Sequence, residues 1–109
     1  MEAERDRDRV AYINDIAPDF ARMVQQFALG EVWSRPGLDR KSRSLCTVAA
    51  LTALGRERQL KAHIALALRN GATQDEVVEV MLHMAVYAGF PAAWNGLVTA
   101  KDVFGEQSP

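Results

Sequence analysis

Apolar positions recur with the helical period over nearly the whole chain, and no stretch alternates strictly between apolar and polar as a half-buried strand requires. The pattern predicts an all-α, single-domain bundle of about six helices. A short helix is expected over Val10–Ile16. A second uses Pro18 in its first turn, carries Phe20, Val24, Phe27 and Ala28 on one side, and runs to Leu29 with Gly30 as its stop. GEVWSRPGLD then reads as a loop. Asp39 stands where it can accept from the first amides of a third helix, Arg40–Leu54, which Gly55 ends. A fourth, Glu57–Asn70, directs Leu60, Ile64, Ala67 and Leu68 inward and ends at Gly71. Thr73-Gln74-Asp75-Glu76 matches the S/T-x-x-E capping box, so a fifth helix begins there and runs through Ala88. With the short NGAT joint, the fourth and fifth helices make a central antiparallel hairpin. Gly89-Phe90-Pro91 opens a sixth helix, Pro91–Phe104. Residues 1–17 are thus a charged lead-in with its short helix, 18–104 the helical domain, and 105–109 a tail.

The third helix adds an expectation about assembly. Its core, LCTVAALTAL, is apolar nearly all round, and a few short helices from 109 residues can hardly enclose one of their own. A homo-oligomer is expected. Apolar residues make up 49% and charged residues 25%, the balance of a globular protein rather than a disordered one. A net charge of −1, with arginines scattered among acids, offers no field for nucleic acid. No apolar run approaches the ~18 residues of a membrane span. One cysteine and no export signal point to the cytoplasm.

Two histidines are the candidates for proton chemistry. His63 lies on or beside the inward stripe of the fourth helix, where a neutral core histidine bonded to a carbonyl is the competing reading. Glu79, His83 and Tyr87 form an i, i+4, i+8 ladder on the fifth, in which a carboxylate would fix one ring nitrogen while the other faces a pocket; a solvated polar edge has the same pattern. Two histidines without an HExxH motif or paired cysteines do not make a metal set, and no metal is expected. Cys46 opens an apolar run and reads as packing. Arg40, Lys41 and Arg43 crowd a helix N-terminus, where positive charge opposes the dipole; an anion or a partner carboxylate nearby is one explanation and solvation the other. The sixth helix begins with unaccepted amides at Ala92, Ala93 and Trp94, flanked by Tyr87, Phe90 and Trp94 as apolar walls.

The runs LDRKSRSLCTVAALTALG, LKAHIALALRNGAT and EVMLHMAVYAGFPAAWN resemble the carboxymuconolactone decarboxylase family, over roughly residues 18–104. The resemblance implies an AhpD-like all-helical fold and a homo-oligomer, a trimer or commonly a hexameric ring. It also implies a carboxy-lyase that needs no cofactor and acts on a small carboxylated lactone such as 4-carboxymuconolactone, in aromatic-compound degradation. In the alkylhydroperoxidase branch the redox motif is CxxCxxxH. Against GRERQLKAH its histidine falls on His63, but Arg56 and Gln59 fill the cysteine positions, and Ser44 stands about where an acidic relay residue would fall. Trp94-Asn95 also departs from the decarboxylase pattern, where members often carry Asn-His.

On this reading His63 and His83 handle the proton and the developing oxyanion, Arg43 holds a carboxylate, and Tyr87, Phe90 and Trp94 shape the pocket. Two other functions stand beside it. One is a peroxidase of the alkylhydroperoxidase type acting through Cys46 alone with an external reductant. The other is a non-catalytic module that binds small acids or serves assembly.

Overall fold

A computed structural model describes residues 10–107, which are helical with no strand among them and fall into two compact units dividing between Asp39 and Arg40. No helix among the described residues is long and apolar enough to cross a membrane.

In the first unit residues 10–14 are helical, α1 covers Pro18–Met23, and a π-helical segment continues over Val24–Val32. Pro18 sits in the first turn of α1, where its missing amide costs no internal hydrogen bond. Gly30, expected to stop the helix, does not. The backbone widens to an i→i−5 pattern, carried on by the Trp33 amide donating to the Ala28 carbonyl at 3.0 Å. A Cβ at Gly30 would lie 2.9 Å from the Gln25 carbonyl oxygen, so the glycine serves a close backbone approach rather than a reversal. The start of the expected loop, Glu31 and Val32, is therefore helical. The wide turns also shift side chains out of the 3.6 register, and of the residues expected on one side of the helix Phe20 and Phe27 are both exposed.

In the second unit α2 covers Arg40–Leu54, α3 Glu57–Arg69, α4 Gln74–Tyr87 and α5 Phe90–Gln107. These bounds follow the sequence pattern closely except at the end, where α5 runs through Gly105 into the expected tail. Gly55 and Gly71 end α2 and α3 by the same device. Gly55 N donates to Thr52 O and Arg56 N to Leu51 O; Gly71 N donates to Leu68 O and Ala72 N to Ala67 O. Each pair closes the last turn around a left-handed residue, with φ of 72° and 101°, which only glycine adopts without a Cβ penalty.

The core gathers Val48 from α2, Leu60, Ile64 and Ala67 from α3, Val77 and Met81 from α4, and Ala100 and Val103 from α5. The spacing on α3 is the i, i+4, i+7 stripe of a helix with one buried face. Burying a side chain such as Leu60 or Ile64 contributes about 1.5–3 kcal/mol relative to exposure. On α2 the buried row is Ser44, Val48 and Thr52. Both polar members are satisfied: the Ser44 hydroxyl accepts from Asn70 Nδ2 at 2.8 Å, and the Thr52 hydroxyl donates to the Val48 carbonyl at 2.7 Å. The other faces of α2 leave Cys46, Ala50, Ala53 and Leu54 exposed.

The capping box forms as the sequence requires. Glu76 N donates to the Thr73 hydroxyl at 3.0 Å and Thr73 N donates to Glu76 Oε1 at 2.9 Å. Lys41 Nζ lies 2.7 Å from the other carboxylate oxygen, Oε2. The Lys41 ammonium first, and the Thr73 amide second, hold the Glu76 carboxyl below its usual value of 4.5. A depressed folded value means that the contribution to stability is complete above that value and disappears as pH falls through the folded one. Wild type is therefore expected to be more stable than Glu76→Gln at pH 6, the gap closing as pH drops below 4.5. Thermal unfolding of both proteins across that range checks it; a gap that widens in acid would reverse the sign.

Candidate active site

α2 and α4 lie side by side, and an open cleft of about 520 Å³ runs between them. From α2 come Leu45, Cys46 and Ala49; from α4 come Glu76, Glu79, Val80, His83 and Met84. The α4 positions are spaced i, i+3, i+4, i+7, i+8, one face of a helix. Leu45, Ala49, Val80 and Met84 give the cleft an apolar lining. His83 stands seven residues along α4 from Glu76, so the Lys41–Glu76 pair and the imidazole mark separate levels of the cleft.

His83 is exposed, and its ring centroid lies 4.9 Å from that of Tyr87, tilted by 46°. Among the described residues no hydrogen bond joins Glu79 to His83. The expected ladder is thus present in position but acts differently: the phenol ring, not the carboxylate, packs against the imidazole. The imidazole thus lines the cleft with the phenol packed against it. Glu79 lines the same cleft one turn away.

Cys46 corrects an expectation. It was expected to pack inside the fold, yet it is exposed and lines this cleft. The apolar run it opens misled because α2 buries only the row Ser44, Val48, Thr52, and Cys46 lies on another side of the helix. Lys41 answers another expectation. The carboxylate sought beside the basic first turn of α2 is Glu76. Sequence reasoning saw Glu76 only as a cap; that α2 and α4 pack together, which pairs it with Lys41, is a tertiary fact.

The structure does not bring all the expected residues together. His63 is half-buried on α3 beside the core residues Leu60, Ile64 and Ala67 and is not among the residues lining the His83 cleft; its Nδ1 atom is buried and makes no hydrogen bond there. Arg43 is half-buried on α2 and does not line the cleft either. Phe90 and Trp94 line a second open cleft of about 420 Å³ with Pro91 and Asn95, at the start of α5. Among the described residues no three His, Cys, Asp or Glu side chains converge as a metal set.

Fold and cleft define a small all-helical protein with one histidine on an apolar cleft and a single thiol in place of a redox pair. The carboxymuconolactone decarboxylase family model matches residues 18–102, and the chain belongs to that family. It is 49% identical over 92 residues to 4-carboxymuconolactone decarboxylase of Acinetobacter baylyi, covering 84% of this chain and 69% of that protein. A nitrosuccinic acid decarboxylase of Metarhizium robertsii is 36% identical over 84 residues, 77% of this chain and 59% of the fungal protein. An uncharacterized 15.0 kDa protein of Paracoccus denitrificans is 33% identical over 94 residues, covering 84% of this chain and 70% of its own length. The chain spans roughly three fifths to seven tenths of the length of these relatives.

Proposed function

We propose that the protein is a carboxy-lyase that removes carbon dioxide, without a cofactor, from a small carboxylated lactone such as 4-carboxymuconolactone. The observation that carries the reading is His83 on an open cleft with an apolar lining, and the 49% identity to the A. baylyi enzyme supports the substrate class. In such a lactone the departing carboxylate sits on a carbon conjugated through a double bond to the ring carbonyl. As the carbon–carbon bond breaks, its electron pair passes into a dienolate while carbon dioxide leaves. The dienolate then takes a proton at carbon. His83 as imidazolium delivers it, a role worth about a hundredfold or more in rate. Leu45, Ala49, Val80 and Met84 withhold hydration from the departing carboxylate. Tyr87 steadies the imidazole; Phe90 and Trp94 line the second cleft and take no part in this one. His63 and Arg43 do not line this cleft, so the proton is given to His83 and His63 keeps a place beside the core.

The same reading makes the protein a cytoplasmic homo-oligomer, trimer or hexamer. Val86, Tyr87, Phe90 and Trp94, each 72–80% exposed, cluster where α4 hands over to α5, and large apolar side chains so exposed mark an association surface. Assembly over this region would also dry the neighbouring cleft. Sedimentation velocity is expected to show one species larger than a monomer; a monomer at micromolar concentration would refute assembly. For the reaction, carbon dioxide release from the lactone is the test, and none above background would overturn it. Binding without release would support the small-acid module.

The exposed thiol beside His83 favours a second reading. A Cys46 thiolate would attack a hydroperoxide oxygen, leaving an alcohol and a sulfenic acid that two external thiols return to thiol with release of water and their disulfide. Full peroxidase turnover in Cys46→Ser would exclude it.

A further inference from the structure

We infer that the helical segment Pro18–Val32 is an exchanged arm: its side bearing Phe20, Met23 and Phe27 packs on a second copy of this chain, against the apolar surface where α4 gives way to α5. The inference rests on the homo-oligomer of the preceding reading and names the element that joins it. Phe20, Met23 and Phe27 stand at i, i+3, i+7, one side of a helix, and each is more than half exposed. The segment has no core of its own. Among its described residues only Ala21 is buried, and none is buried in the π-helical stretch Val24–Val32. A helix of this length holds in water chiefly through the packing of one face, and π-helix ordinarily occurs as a single turn within an α-helix. Nine residues of it without a buried side chain require a surface outside the segment.

Charge and area select the occupant. An amphipathic helix that lies on a membrane carries Lys and Arg on its polar side. Residues 10–32 instead hold Asp15, Asp19 and Glu31 against Arg22 alone, and Arg22 is paired with Asp19 at 3.5 Å. A protein surface fits better, with the uncharged Gln25 and Gln26 at its rim. The same chain leaves Val86, Tyr87, Phe90 and Trp94 open. One kind of contact between copies therefore removes both apolar faces from water. Each large side chain of the two sets leaves roughly 100 Å² outside. A copy that gives its arm and receives one buries on the order of 800 Å², the share of each partner in a stable interface. The contact joins unlike surfaces of identical chains, so it closes as an exchanged pair or as a ring.

Two double variants test this by complementation. Phe20→Ser with Phe27→Ser spoils the arm and leaves the receiving face; Phe90→Ser with Trp94→Ser spoils the face and leaves the arm. Each alone is expected to assemble about a hundredfold or more weakly than wild type, the loss of two aromatic anchors from an interface, and to sediment as a monomer. Mixed in equal amounts they should form a dimer, because the intact arm of one fits the intact face of the other. A face variant that still assembles alone would mean arm on arm, and an arm variant that still assembles alone would mean face on face. Either result, a mixture that stays monomeric, or a monomeric wild type would overturn the inference. Hydrogen exchange guards against a variant that folds poorly. The face variant has an unaltered arm, yet its Val24–Val32 amides should exchange about a hundredfold faster than in the wild-type assembly, while α2 and α3 keep their protection. Equal protection of the arm in both would show that it needs no partner. An oligomeric wild type that releases carbon dioxide while the mixture stays monomeric removes the arm alone; a dimeric mixture without carbon dioxide release removes the decarboxylase reading alone.

Discussion

His83→Ala is expected to lower kcat for the lactone about a hundredfold or more while the helices and the assembly persist. The side chain is exposed, belongs to no buried cluster, and its contact with Tyr87 is of the kind worth only about 0.5–1.5 kcal/mol. The loss falls on the proton given to the dienolate, a step that occurs after the ground state is bound. KM should therefore change far less than kcat. Tyr87→Phe, which keeps a ring against the imidazole, should stay near wild type, and Tyr87→Ala should fall between the two.

His63→Ala supplies the contrast. Its neighbours Leu60, Ile64 and Ala67 are buried core residues, so its removal is expected to appear in urea unfolding more than in kcat. If the two variants exchanged profiles, with turnover lost at His63 and kept at His83, the proton would have to be reassigned and the cleft between α2 and α4 would lose its role. Equal, wild-type-like turnover in both would remove imidazole from the chemistry.

What the sequence disclosed follows the range of the interactions involved. α3 was legible from its apolar stripe, and its end from Gly71, because periodicity and a left-handed cap act within a few residues. The start of α4 was legible for the same reason, in the reciprocal bonds of Thr73 and Glu76. The π-helical widening at Gly30 was not: a glycine that ends a helix and one that lets two turns approach look alike until the backbone is seen. At the site, the Glu79–His83–Tyr87 spacing put three groups on one face, but which neighbour would hold the ring depended on side-chain rotamers. Cys46 and the Lys41–Glu76 pair were hidden for a tertiary reason. Each becomes part of a cleft only because α2 lies beside α4, and no local pattern records that pairing. The row Ser44, Val48, Thr52 shows the difficulty well, since two of the three buried positions on α2 are polar and the apolar Leu54 is exposed.

Gly96→Val is expected to damage the packing severely, at about 3 kcal/mol. Gly96 is buried in the row Ala93, Gly96, Ala100, Val103 by which α5 meets the other helices. A Cβ there would lie 2.5 Å from the Met81 sulfur, 3.2 Å from Met81 Cε and 3.0 Å from Thr52 Cγ2. Met81 is completely buried and Thr52 is pinned by its bond to the Val48 carbonyl, so neither neighbour has solvent to move into. Opposing this is helix propensity, which favours alanine over glycine by about 1 kcal/mol. Gly96→Ala should therefore cost less than valine, whose branched carbon adds two more methyls to the same space. Met81→Ala alone should cost about 2–5 kcal/mol through the void it leaves. Combined with Gly96→Ala it should cost clearly less than the sum, because the new methyl enters space the sulfur has vacated, and contacting pairs couple by about 0.5–3 kcal/mol. Urea unfolding of the four proteins measures that coupling. Strict additivity, or a Gly96→Val protein as stable as wild type, would mean that α5 does not approach α4 as closely as these distances require.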